Sequence, residues 1–336
     1  MSELQPGAAL PRQKIDILPA LLPFIVALLA APFIGGTAAF ITLTVASLAM
    51  GFMLFTMASG LTLVFGLMDV LNFGHGAFIS VGAYVATLVF LPLAGWAQAD
   101  SLRLNLGVIL LAIVAAAAIC GALGLVFERV LVRPVYRQHV KQILVTIGGL
   151  IVAEQLLYAS FGPQTIPLPL PTSLRGSLVF GDAAVEKFRI VAVVIGLLIF
   201  LGEALILNYT KVGLLIRAGV ENREMVEALG YRVNRLFVGV FMVGSALAGL
   251  GGVLWALYRE QVHASMGGDL MVLVFIVVII GGLGSVGGCL IGATLVALIA
   301  NYAGFLAPKF ALVSNIALMV VVLLWRPRGL YPLGGR

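Results

Sequence analysis

The chain has 336 residues, 62% of them hydrophobic and 10% charged, with a mean hydropathy of +1.15; so little polar surface cannot cover a soluble globule, and the solvent is lipid. The net charge of +6 comes without a basic patch interleaved with stacking aromatics, which excludes nucleic acid as a partner. Cys120 and Cys289 sit inside apolar runs as small hydrophobes, offering neither a disulfide framework nor metal spacing.

Arg12 and Lys14 precede an apolar run from Ile17 to Ile34 that is long, contains proline and is soon followed by further spans, so it reads as an uncleaved first helix. Spans are predicted at 17–35, 39–66, 77–95, 105–128, 142–161, 189–208, 236–258, 271–283, 286–305 and 309–325, against the ~20 residues that cross a bilayer core of about 30 Å. The fold class is an all-α membrane protein, a polytopic bundle of about eight to ten transmembrane helices with broken helices. The lower count allows for re-entrant segments at glycine-rich breaks. Residues 1–16 and 326–336 are then tails around a single membrane domain, 17–325. Placing the N-terminus inside assigns fourteen Lys and Arg to the cytoplasm and six to the exterior, which puts both termini in the cytoplasm.

Between Gly66 and Gly76 the run GLMDVLNFGHG carries Asp69, Asn72 and His75 between two apolar stretches. Irregular backbone at membrane depth needs protein or a watery cavity around it, so the segment reads as lining a solute path. The alternative is a tight cytoplasmic turn in which Asn72 and His75 cap the next helix. Among carboxylates in the spans, Glu154 lies near mid-span and joins the path candidates; its alternative is a hydrogen bond between helices. Glu203, two turns from Lys211, is expected to snorkel toward that cation.

Residues 129–141 form a basic loop, and 162–188 an external loop that Pro163, Pro167, Pro169 and Pro171 keep extended. The central loop, 209–235, holds Lys211, Arg217, Arg223, Arg232 and Arg235 and must lie in water. Asn222 can N-cap a short helix there and Gly230 can end it in the left-handed conformation, with Met225, Val226 and Leu229 on one face. Such a helix suits docking to a soluble partner; a solvated connector is the alternative.

Small residues at every fourth position, Gly244, Ala248 and Gly252, then Gly284, Gly288 and Gly292, predict smooth stripes for close helix packing. The run GLGSVG at 282–287 matches G-x-G-x-x-G but lacks a βαβ context, and no G-x-x-x-x-G-K-[ST] loop occurs. Any ATPase that drives transport is therefore another chain. His75, His139 and His263 fall in separate segments without catalytic spacing, which argues against an enzyme.

Three stretches carry a family resemblance: GLTLVFGLMDVLNFGHGAFISVGAYVA at 60–86, RAGVENREMVEALGY at 217–231 and GGLGSVGGCLIGA at 281–293, with a C-terminal WRPRGLY at 325–331. The chain resembles the membrane permease subunits of bacterial branched-chain amino-acid ABC importers, a group that includes amide and urea permeases. Val226 stands where the family's coupling segment usually carries alanine, and Tyr231 where an aliphatic is common. The resemblance implies a permease domain in the inner membrane, paired with a second homologous permease. Two cytoplasmic ATP-binding subunits that use ATP and Mg, and an external solute-binding protein, complete the implied assembly. No cofactor is expected in this chain. The segment around Glu221, Asn222, Met225, Val226, Leu229 and Gly230 would couple to the ATPase. Substrate choice would rest largely with the binding protein, and no carboxylate or ammonium pocket is legible in this chain. The competing expectation is an ATP-independent secondary transporter or solute channel, with Asp69 and Glu154 as coupling-ion sites.

Overall fold

The computed structural model describes residues 17–68, 70–136, 138–221 and 223–331. In chain order its helices are α1 (Leu18–Ile34), α2 (Thr37–Met68), α3 (His75–Phe90), α4 (Ala94–Gln98), α5 (Leu102–Phe127) and α6 (His139–Phe161). Then follow α7 (Lys187–Tyr209), α8 (Lys211–Glu221), α9 (Arg223–Ala228), α10 (Val233–Arg259), α11 (Met266–Gly281), α12 (Val286–Leu306) and α13 (Ala311–Trp325). Six of them (α2, α5, α6, α7, α10 and α12) are long and apolar enough to cross a membrane, while α1, α3, α11 and residues 313–325 are shorter apolar helices. The bundle is the polytopic all-α membrane fold that the apolar runs predict.

At 16 residues each, α3 and α11 extend only about 24 Å, less than the ~30 Å hydrocarbon core. Each follows a long helix after a short irregular break: α2 ends at Met68 and α3 begins at His75 after irregular backbone over 70–74, and α10 is broken from α11 over 260–265. Two broken-helix units thus lie side by side.

The centre is α10, packed on α2, α3 and α5. Glycine makes this possible, because a Cβ at Gly82 of α3 would come 2.1 Å from the Gly249 carbonyl oxygen, and one at Gly252 would come 2.1 Å from that of Ile79. The α2–α10 crossing is as close, a Cβ at Gly60 falling 2.4 Å from the Gly244 oxygen. Backbones in contact gain dispersion energy without side-chain entropy loss, the main attraction available between helices in lipid. Gly244 therefore faces α2, Gly252 faces α3, and Ala248 between them is fully buried. Of the second predicted stripe, Gly288 and Gly292 press on α11, whereas Gly284 lies outside α12, in the turn before it, at φ +83° against Gly66. The GLGSVG run is this α11–α12 turn.

One end of the bundle carries α8 and α9. The other carries the 162–188 segment, which is extended as predicted and adds short strands: β1 (Ile166–Pro167), β2 (Ser177–Phe180) and β3 (Ala183–Glu186). β1 pairs with β4 (Gln261–Val262) in the α10–α11 break, and β2 pairs with β3 as an antiparallel hairpin. Since α10 has 27 residues, the two ends lie about 40 Å apart.

Candidate translocation site

The site is built where the two breaks meet. Gly76, second residue of α3, and Gly267, second residue of α11, touch through their backbones, and no side chain fits between them. Ser80 of α3 bridges this junction: its Oγ accepts the Gly267 N–H at 2.8 Å and donates to the Ala264 carbonyl at 2.8 Å. A helix start inside a bundle needs such a partner for its free N–H groups. Ser80 thereby fixes the first turn of α11 to the second turn of α3.

His75 opens α3. Its Nε2 donates to the Met57 carbonyl of α2 at 2.8 Å, a tautomer set by that acceptor, and its Nδ1 is buried without a partner among the described residues. Asn72 is also buried; its carbonyl accepts the His75 N–H at 3.3 Å, and its Oδ1 has no partner among the described residues. Neither side chain makes a cap bond to α3. The break is held from α6, where Thr146 Oγ1 accepts the Phe73 N–H at 3.3 Å while donating to the Gln142 carbonyl at 2.8 Å. Two buried acceptor atoms with open valence, on a backbone segment held from α2 and α6, form a polar patch in an apolar bundle.

Glu154 reaches the other break. Its Oε1 lies against Gly268, where a Cβ would come within 2.7 Å, so the carboxyl of α6 rests on the bare first turn of α11. Beside it Asp269 Oδ2 pairs with His263 Nε2 at 3.2 Å. The path residues predicted from the sequence therefore fall at two places, Asn72 and His75 at the first break and Glu154 at the second. Asp69 lies outside the described residues.

Glu203 does not snorkel. It turns inward from α7, is 8% exposed, and accepts a 2.8 Å hydrogen bond from Ser59 Oγ of α2. A fixed hydroxyl across a helix interface outcompetes a cation two turns away.

The central loop holds two short helices. α9 ends before Gly230, at φ +84°, whose N–H donates to the Glu227 carbonyl at 3.0 Å. The structure separates the three predicted apolar side chains: Met225 is 59% and Leu229 70% exposed, while Val226 is 3% exposed and belongs to the core. Residues four apart share a helix face and the next residue turns about 100° away, so Val226 faces the bundle. Glu221 is the last residue of α8; Asn222 lies outside the described residues.

Ser80, Ser59, Thr146 and the Arg259–Asp269 segment were not legible as site residues, because a hydroxyl in an apolar run carries no periodic signal. Among the described residues no group of three His, Cys, Asp or Glu is placed to hold a metal.

A multi-pass bundle with paired broken helices and a polar junction between them defines a membrane transport protein. The chain belongs to the family described as branched-chain amino acid transport system / permease component, whose model matches residues 43–323. It is 27% identical over 280 residues to the high-affinity branched-chain amino acid transport system permease protein BraD of Pseudomonas aeruginosa, covering 81% of this chain and 89% of the relative. LivH of Escherichia coli, a protein of the same description, is 27% identical over 281 residues with the same coverage. A probable branched-chain amino acid transport permease protein LivH of Methanocaldococcus jannaschii is 28% identical over 294 residues, 83% of this chain and 88% of the relative. No solved structure gives a significant match. The chain is a transport permease component and not an enzyme.

Proposed function

We propose that this chain is the membrane-spanning subunit of an ATP-driven importer in the bacterial inner membrane, carrying branched-chain amino acids or related small polar solutes such as amides or urea. It works with a second homologous permease, two cytoplasmic ATP-binding subunits that use ATP and Mg, and an external solute-binding protein. Both termini are cytoplasmic, as is the α8–α9 end.

The observation that carries this reading is how α8 and α9 are tied to the two breaks. α8 follows α7 after Thr210 alone, with Gly213 pressed on the Leu207 backbone. α7 is pinned to α2 by Glu203 and Ser59, and by Phe52 packed on Gly196. α9 is held from beneath by Val226 and runs through Gly230 into α10. The α8–α9 end is therefore tied to each broken-helix unit, α2–α3 and α10–α11. A partner that pushes on the exposed Met225 and Leu229 moves both units together, and the junction at Gly76 and Gly267 opens alternately to each side. Asn72, His75 and Glu154 face the solute on this path.

The test replaces Leu229 with Asp and Gly230 with Pro. The protein inserts normally and ATP-dependent uptake is lost; unchanged uptake removes the coupling role. Uphill movement in vesicles with no nucleotide-hydrolysing partner would assign a secondary transporter instead. Alanine at Asn72 or His75 impairs uptake more than assembly, and normal transport by both variants makes the broken segment packing only.

A further inference from the structure

The α10–α11 break encloses a cavity of about 280 Å³, just below the roughly 300–1,000 Å³ of small-molecule pockets. Its size suits a solute of a few heavy atoms. The walls have two chemical characters. Trp255, Met266 and Leu270 supply apolar surface, with Met266 and Leu270 buried. Arg259, Asp269 and His263 supply the charged and polar lining.

The charges are available. The Arg259 side chain makes no ion pair or hydrogen bond with any described residue. Asp269 uses Oδ2 on His263 at 3.2 Å, and its side chain is 69% exposed, so Oδ1 is open to a donor.

We propose that this cavity binds the zwitterionic head of an α-amino acid, with Arg259 on the carboxylate, Asp269 on the ammonium and the solute side chain against Trp255 and Leu270. A guanidinium matches a carboxylate as a planar two-donor fork, and an ammonium needs acceptors only, which the Asp269 carboxylate provides. A neutral amide or urea satisfies neither charge, so the cavity selects amino acids within the solute classes open to the family. The site rests on the reading of the chain as a solute permease. It lies at the end opposite α8 and α9, one step from the Gly76–Gly267 junction, where solute handed over from outside enters the path.

The test is binding of radiolabelled L-leucine to the full-length chain in nanodiscs, without nucleotide or partner. Leucine binds saturably; leucinamide, which lacks the carboxylate, and 4-methylpentanoate, which lacks the ammonium, compete about tenfold more weakly, the scale of one lost charge-assisted hydrogen bond. Arg259→Gln weakens leucine to the level of leucinamide, Asp269→Asn weakens it to that of 4-methylpentanoate, and Arg259→Lys keeps part of the difference. Asp182→Asn, at the β2–β3 turn, changes nothing. Absence of saturable leucine binding, equal competition by all three compounds, or leucine affinity untouched by both charge-removing variants overturns the site. Because the assay needs no ATP, its failure is separate from failure of ATP-driven uptake in the lever variants.

Discussion

Ser59 Oγ of α2 donates a 2.8 Å hydrogen bond to Glu203 Oε1 of α7, while Glu203 Oε2 is buried with no partner among the described residues. The bond joins the helix that leads into α8 to the helix that leads into the first break. Ser59→Ala deprives a buried carboxyl of its donor and costs about 1–3 kcal/mol. Replacing both groups by apolar ones removes the orphan, so Ser59→Ala with Glu203→Leu is more stable than Ser59→Ala alone. Thermal unfolding of the detergent-solubilised variants measures this, and a double variant no more stable than the single one denies the pairing its energetic role. In the uptake assay the same double variant hydrolyses ATP with the partner subunits but transports less per ATP.

Glycines at helix crossings and glycines facing open space respond with opposite sign. Gly82→Ala and Gly252→Ala force a methyl into backbone atoms at 2.1 Å, so α3 separates from α10 and the unfolding midpoint falls. Gly107 in α5 and Gly202 in α7 have nothing within 4 Å, and alanine there gains up to about 1 kcal/mol of helix propensity. Midpoints that move alike in both sets deny the close crossings.

The lever has an outside and an inside. Met225→Asp and Leu229→Asp change exposed positions and leave the fold intact while abolishing ATP-dependent uptake. Val226→Asp buries a charge in the core and lowers folded yield instead. Gly230→Val forces a β-branched residue to φ +84°, at a cost of about 1–2 kcal/mol. Yield and uptake, measured together on membrane fractions, separate these outcomes.

Ser80→Ala leaves the Gly267 N–H and the Ala264 carbonyl without their shared hydroxyl. Amide hydrogen exchange over residues 264–269 rises, while exchange over α12 does not change. Uniform exchange across both regions would mean that Ser80 does not hold the start of α11.

Much of the frame was legible in the chain. Ten apolar runs correspond to ten apolar helices among the described residues, because a span must hide its own backbone polar groups and therefore announces itself in length and composition. The interruption at 66–76 appears as the break over 70–74, and Gly230 has the left-handed backbone that its place after MVEAL suggests. Three site features were not legible. Distance along the chain pairs Glu203 with Lys211, but its partner is Ser59, 144 positions away. Spacing alone groups Val226 with Met225 and Leu229, because an isolated short helix gives no hint of which flank the bundle covers. Arg259 and Asp269 both lie between two predicted spans, ten positions apart, and only the fold of that break brings both to one cavity.

Composition and order by themselves determined that the solvent is lipid, where the chain crosses, and where a crossing is interrupted. These follow from transfer energies that add residue by residue along the chain and do not depend on neighbours in space. Only the tertiary structure decided which glycine meets which backbone, that Ser80 closes α11, that Ser59 holds Glu203, and that Arg259 faces the same hollow as Asp269. Those outcomes depend on the rotation and depth of each helix, which contacts between distant segments set and no local pattern encodes.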